Sequence, residues 1–259
     1  MLDELKNALL EEVSKAIDGS SEGIPSRFRQ YLHRTVDHDC FLELSLLACA
    51  SSLWCGGNPV TGMPAAVGAL LLRAGITAHL GTCGIPSGLE APGRENSEDV
   101  TAAILAGDAL MALSMEYLAG SCGRHSARLV AEAVKAMGAR GMLAGLSLAV
   151  DRRDGINSEA PDGRADFELY SGQLARFATH GGALLAGASG ILLDDAAQIG
   201  LLAGRARFLS SMSERETYWS GRNTATFQAR TLMEQAQSLV GSRGDSTLFT
   251  SLMYLSDFF

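Results

Sequence analysis

Residues 102–119 read A-A-I-L-A-G-D-A-L-M-A-L-S-M-E-Y-L-A. The pattern is a long helix, apolar on nearly every side, with one acid early (Asp108) and one late (Glu116). In a water-soluble chain, a helix that is apolar all round is one surrounded by other helices. This stretch therefore reads as the centre of an all-helical assembly, and its neighbours are read outward from it.

Upstream, residues 64–79 form another apolar helix, opened by Pro64 because proline suits the first turn. Between the two, residues 84–96 hold Pro86, Gly88, Pro92 and Gly93, a loop long enough to be functional. Gly56-Gly57-Asn58-Pro59 is a strong turn behind an apolar helix at 41–54. A more polar helix at 26–38 and an amphipathic one at 2–17 complete the N-terminal half. Downstream, residues 120–123 break the chain. Helix resumes over 126–150, with an awkward glycine-bearing segment at 138–145, and 151–163 form a polar surface loop. Helices are then expected at 166–180, at 182–187, from Asp194 to about Glu216, at 223–240 and at 247–259. Strand-like alternation is hard to find, and neither a linker nor a repeat is evident. Residues 1–259 thus read as one all-α domain. The abundance of Ala and Gly either lets backbones approach closely or leaves room for a long ligand.

The chain has 259 residues, 47% hydrophobic and 19% charged, which is enough to bury a sizeable core. Its net charge of -8 argues against nucleic acid as a partner. The five cysteines are odd in number and lack C-x-x-C spacing, so reduced, buried thiols are expected. The N-terminus is charged and amphipathic rather than a signal-peptide core. The uncharged run of small and apolar residues at 181–193 falls short of the ~20 that cross a bilayer. The expectation is a soluble, cytoplasmic protein with no membrane span.

Six segments in this order resemble the trans-isoprenyl diphosphate synthases, the polyprenyl synthetase family. Ile104-Leu105-Ala106-Gly107-Asp108 resembles the helix after that family's first aspartate motif, and 64–72 the helix leading into it. Gly141-Met142-Leu143-Ala144-Gly145 is similar to its G-M-x-x-G-Q segment, and 182–189 to the stretch after its K-T-G. Residues 197–201 are similar to the approach to its second aspartate motif, and 248–259 to its last helix. The resemblance implies an all-α, isoprenoid-synthase-type helical bundle around a central cavity, dimeric through its central helices.

The family's chemistry needs magnesium to neutralise a leaving diphosphate. Magnesium needs hard oxygen ligands, hence two facing D-D-x-x-D motifs with basic clamps around them. This chain departs at each position. The first D-D pair falls at Ala78-His79, and no carboxylate follows in 80–84. The second motif falls near Arg207, in R-F-L-S-S. The basic G-K-R-x-R-P segment falls at 37–42, without its arginines. The K-T-G lysine falls at Tyr170, followed by Ser171-Gly172, and the glutamine of G-M-x-x-G-Q at Leu146. Each lost site removes several kcal/mol of transition-state stabilisation, so at about 1.36 kcal/mol per tenfold ordinary prenyl elongation should be undetectable.

No catalytic residue, metal ligand or cofactor is therefore assigned: magnesium is expected for the family, but its ligands are absent. Candidate ligand-binding residues of the cavity are His79, Asp108, Tyr170, Gln173, Arg205 and Arg207. The two arginines suit an anion without metal, or pair with Asp108 or Glu116 to close the cavity. Asp108 is expected to be buried and satisfied by backbone or arginine. Other acids have plainer readings. Asp194-Asp195 caps a helix, Asp151 and Asp154 are solvated, Asp37-His38-Asp39 points apart, and Ser97 caps the helix after the loop.

The resemblance then implies a catalytically degenerate homologue. It would be a homodimer, or a heterodimer with an active prenyl synthase, or it would hold an isoprenoid ligand itself. A repurposed transferase or cyclase working in the old cavity without metal is the alternative, and a purely structural module with a filled cavity is a third reading.

Overall fold

The computed structural model describes residues 1–20, 23–36, 39–82, 97–154, 156, 168–215, 222–241 and 244–254. Among them stand eleven α-helices and no strand. These are α1 (Leu2–Gly19), α2 (Ser26–Val36), α3 (Asp39–Trp54), α4 (Met63–Thr82), α5 (Ser97–Ser121) and α6 (Ser126–Met137). There follow α7 (Met142–Arg153), α8 (Gln173–Leu185), α9 (Ile191–Arg215), α10 (Arg222–Gly241) and α11 (Thr247–Tyr254). Short 3-10 turns at Pro59–Gly62 and Gly123–His125 and a π turn at Glu168–Gly172 join them.

The all-α expectation holds, and the small residues serve close approach. Helix α4 runs antiparallel to α5, since Gly68 meets Leu118 and Ser114 while Gly75 faces Gly107 and Met111. The Ser114 hydroxyl donates to the Gly68 carbonyl at 2.9 Å. A methyl on Gly75 would stand 2.8 Å from the Gly107 oxygen. On the other side, α8 packs between α3 and α9. A methyl on Gly182 would overlap the Ala48 carbonyl of α3, and Ser51 Oγ donates to the Thr179 carbonyl at 2.7 Å. Glycine costs roughly 1 kcal/mol against alanine inside a helix. Here that cost is offset by backbones meeting where no Cβ fits. At the far end Trp54, 1% exposed, donates to the Val240 carbonyl at 3.1 Å and stacks edge-on with Phe249. One continuous apolar cluster runs from Leu5 to Met253.

Several boundaries differ from expectation. Residues 182–187 are not a separate helix: Gly181 and Gly182 lie inside α8, because Ala65 and Ala48 press on them. Helix α9 starts at Ile191, just after Gly190 turns the chain with φ +55°, so Asp194 lies in its first turn rather than at a cap. Helix α7 runs through Arg153, which takes Asp151 out of the expected loop. The 84–96 loop and Asp37-His38 lie outside the described residues.

Burial is uneven between two apolar helices. Two windows, Pro59–Leu80 and Val100–Ser121, are long and apolar enough to cross a membrane by length and composition, both longer than the run at 181–193. The first is 83% buried within the bundle and the second 39%. Helix α5 is thus not surrounded. Ile104 is 40% and Leu105 54% exposed, and Asp108, Ala112 and Glu116 continue the same outer strip.

Cys49, Cys55 and Cys122 are free thiols, as expected. Burial pushes Cys49 up to about 12, and Cys55 and Cys122 up to about 11.

Candidate functional site

The six candidate residues fall into two groups. His79 lies in the last turn of α4, where a methyl on Gly107 would overlap its ring; the imidazole fits only because residue 107 has no side chain. Its Nε2 lies 3.2 Å from Asp108 Oδ1. The pair sits on the outer side: the Asp108 side chain is 62% exposed and that of His79 22%. Asp108 is therefore not a buried acid, and its partner is an imidazole rather than backbone or arginine. The reason is its place on the uncovered strip of α5.

The second group lies inside. Tyr170, 7% exposed, sits in the π turn that leads into α8. The Arg73 guanidinium of α4 lies 4.8 Å from its ring centre, and Phe208 of α9 meets it edge-on at 6.1 Å. Gln173 opens α8 and is half-buried, as are Arg205 and Arg207 on α9. Arg205 lies against Gly172, where a methyl would come within 3.0 Å of its Cγ.

Arg207 pairs with Glu43 of α3, not with Asp108 or Glu116. Both side chains are under 20% exposed, so each charge needs the other. The pair lines a cavity of about 20 Å³ with Leu47, Ala203, Met233 and Met253. That is room for about one water molecule, not for a long ligand. Sequence reasoning singled out neither Arg73 nor Glu43. A lone charge inside an apolar helix, as in L-L-L-R-A and F-L-E-L-S, was the available signal, because such a charge must find a partner when buried.

The described residues here do not fit magnesium. Arg207 and its neighbours offer no carboxylate except Glu43, which an arginine already neutralises. Among the described residues no three His, Cys, Asp or Glu side chains converge on one point.

A further charged set lies on α6 and α8. Glu132, 13% exposed at its side chain, meets Lys135 at 2.7 Å and Arg176 at 3.5 Å. His180, 6% exposed, is held below its ordinary value by burial, against the pull of Glu132 and with the push of Arg128 and Arg176.

No protein-family model matches the chain, and no curated protein does. Solved structures do. A deletion mutant of heterotetrameric geranyl pyrophosphate synthase from mint, in complex with ligands, is 20% identical with a TM-score of 0.74, covering 96% of this chain and 98% of that one. The geranyl diphosphate synthase small subunit of Antirrhinum majus is 18% identical with a TM-score of 0.70 over the same shares. An apo FPP/GFPP synthase of Zymomonas mobilis is 19% identical with a TM-score of 0.74, over 98% and 99%. The chain has the all-α fold of these isoprenyl diphosphate synthases. At this identity the likeness is one of fold.

Proposed function

We propose that this chain is a non-catalytic subunit that docks on an active prenyl synthase through the outer strip of α5, in a soluble, cytoplasmic complex. The observation that carries the reading is the exposed apolar strip at Ile104 and Leu105, on a helix whose other face is core. An apolar helix face left in water is an interface awaiting a partner. The occupant argued for is a prenyl synthase subunit, because similar folds include a small subunit and a chain from a heterotetrameric synthase. The interior supports the non-catalytic half of the reading. Where magnesium carboxylates would be needed, Arg207 is locked to Glu43 and His79 faces outward to Asp108.

The test is co-expression with the prenyl synthase of the same organism, followed by light scattering and turnover. A defined mixed oligomer is expected. The chain alone, given isopentenyl diphosphate, magnesium and allylic diphosphates, should form no product, while its presence should alter the partner's product length. A homodimer that ignores the synthase, or magnesium-dependent elongation by the chain alone, would overturn the reading. The repurposed-enzyme reading is favoured only by the His79–Asp108 pair, which has the form of a base and its orienting acid. It would show as metal-free turnover lost in His79→Gln.

A further inference from the structure

Arg73 lies in the middle of α4 with 7% of its surface exposed. Its guanidinium, the Tyr170 ring and the Phe208 ring form one stack that bridges α4, the π turn and α9. Thr77 follows one turn later on the same face of α4 and is 3% exposed. Its hydroxyl and that of Tyr170 are buried without a hydrogen-bond partner among the described residues. The π turn itself departs from helical register at Tyr170, a distortion that concentrates at functional positions.

This is the interior that the sequence reading expected to be open. A hydrocarbon chain entering it would have to displace the ring stack. It would also leave a guanidinium and two hydroxyls facing hydrocarbon, which offers them no hydrogen bond. Bulk and polarity both act against such a ligand.

We propose that the Arg73–Tyr170–Phe208 stack is a plug that closes the bundle to isoprenoid chains, with Arg73 and Tyr170 as its specificity-determining residues. The inference deepens the partner-subunit reading and rests on it, since a subunit that acts by docking has no need to hold an isoprenoid itself.

The experiment is equilibrium dialysis of the full chain against radiolabelled farnesol. The native chain should show no saturable binding. Arg73→Ala/Tyr170→Ala, shown to be folded by circular dichroism and a cooperative melt, should bind saturably and at least tenfold more tightly. Should the double variant fail to fold, Tyr170→Ala alone carries the test, with a gain of at least threefold. Leu105→Ala, on the outer strip, should show none. Saturable binding by the native chain, no gain in a folded plug variant, or an equal gain in Leu105→Ala would overturn the proposal. Co-assembly with the synthase is scored in parallel on the native chain. Its absence would count against the docking reading while leaving the farnesol result to judge the plug.

Discussion

The windows Pro59–Leu80 and Val100–Ser121 have the same mean hydropathy, 1.4, yet 83% of the first is buried and 39% of the second. They lie against each other, joined through Gly75 and Gly107, so the difference is not one of neighbourhood. Helix α4 has α3 and α8 on its other sides, whereas the far side of α5 meets water. Composition tells that a helix wants burial; it does not tell whether its own chain supplies the cover. Where it does not, the cover proposed above is a partner subunit.

Mutation sharpens this contrast. Leu71→Ala in α4, fully buried, should cost about 2–5 kcal/mol in chemical denaturation. Leu105→Ala in α5 should cost under about 0.5 kcal/mol in the isolated chain yet weaken the mixed oligomer. Equal losses in the isolated chain would mean that α5 is already covered. Next in size is the inner ion pair. Glu43→Gln removes the acid paired with Arg207 and should cost about 3 kcal/mol, whereas Glu43→Met/Arg207→Met should recover most of it. Recovery only on a charge swap would show that the pair does more than fill space.

Two glycines of α5 then test the close approach. Gly107→Ala drives a methyl into His79 and should cost about 1–3 kcal/mol. Gly120→Ala meets nothing within 4 Å and should stabilise by up to about 1 kcal/mol through helix propensity. Opposite signs are the expected readout in thermal melts. The smallest effect concerns pH. His180 is held below its ordinary 6.5 when folded, so below that pH the unfolded chain binds the proton more readily. Stability should therefore fall as pH drops from 6.5 toward the folded value, and be unaffected by His180 above it. His180→Gln should flatten that slope; an unchanged slope would show that His180 does not carry it.

The fold was legible because helices announce themselves locally. Pro64 opened its helix, and the apolar runs at 41–54 and 102–119 became α3 and α5. Errors came where tertiary contact overrides a local signal. Gly181-Gly182 looks like a break until Ala65 and Ala48 are seen against it, and Gly190 moves a helix start ahead of Asp194. The site was half legible. Tyr170 is buried and Arg207 half-buried, but their partners Arg73 and Glu43 lie far away in the chain, and no spacing rule joins them. Asp108 was misplaced for the opposite reason. Its helix reads as apolar all round, and only packing reveals which side is left uncovered.

The buried thiols have a practical consequence. Cys49 in α3 and Cys122 beyond the end of α5 hold their protons at neutral pH because burial disfavours the thiolate. The thiolate is the reactive form, so alkylation waits until the surrounding helices part. The chain thus carries intrinsic reporters at two depths of one bundle. Labelling rates at Cys122, with and without a bound synthase, would read the clamping of α5 directly, while Cys49 would keep time for the core.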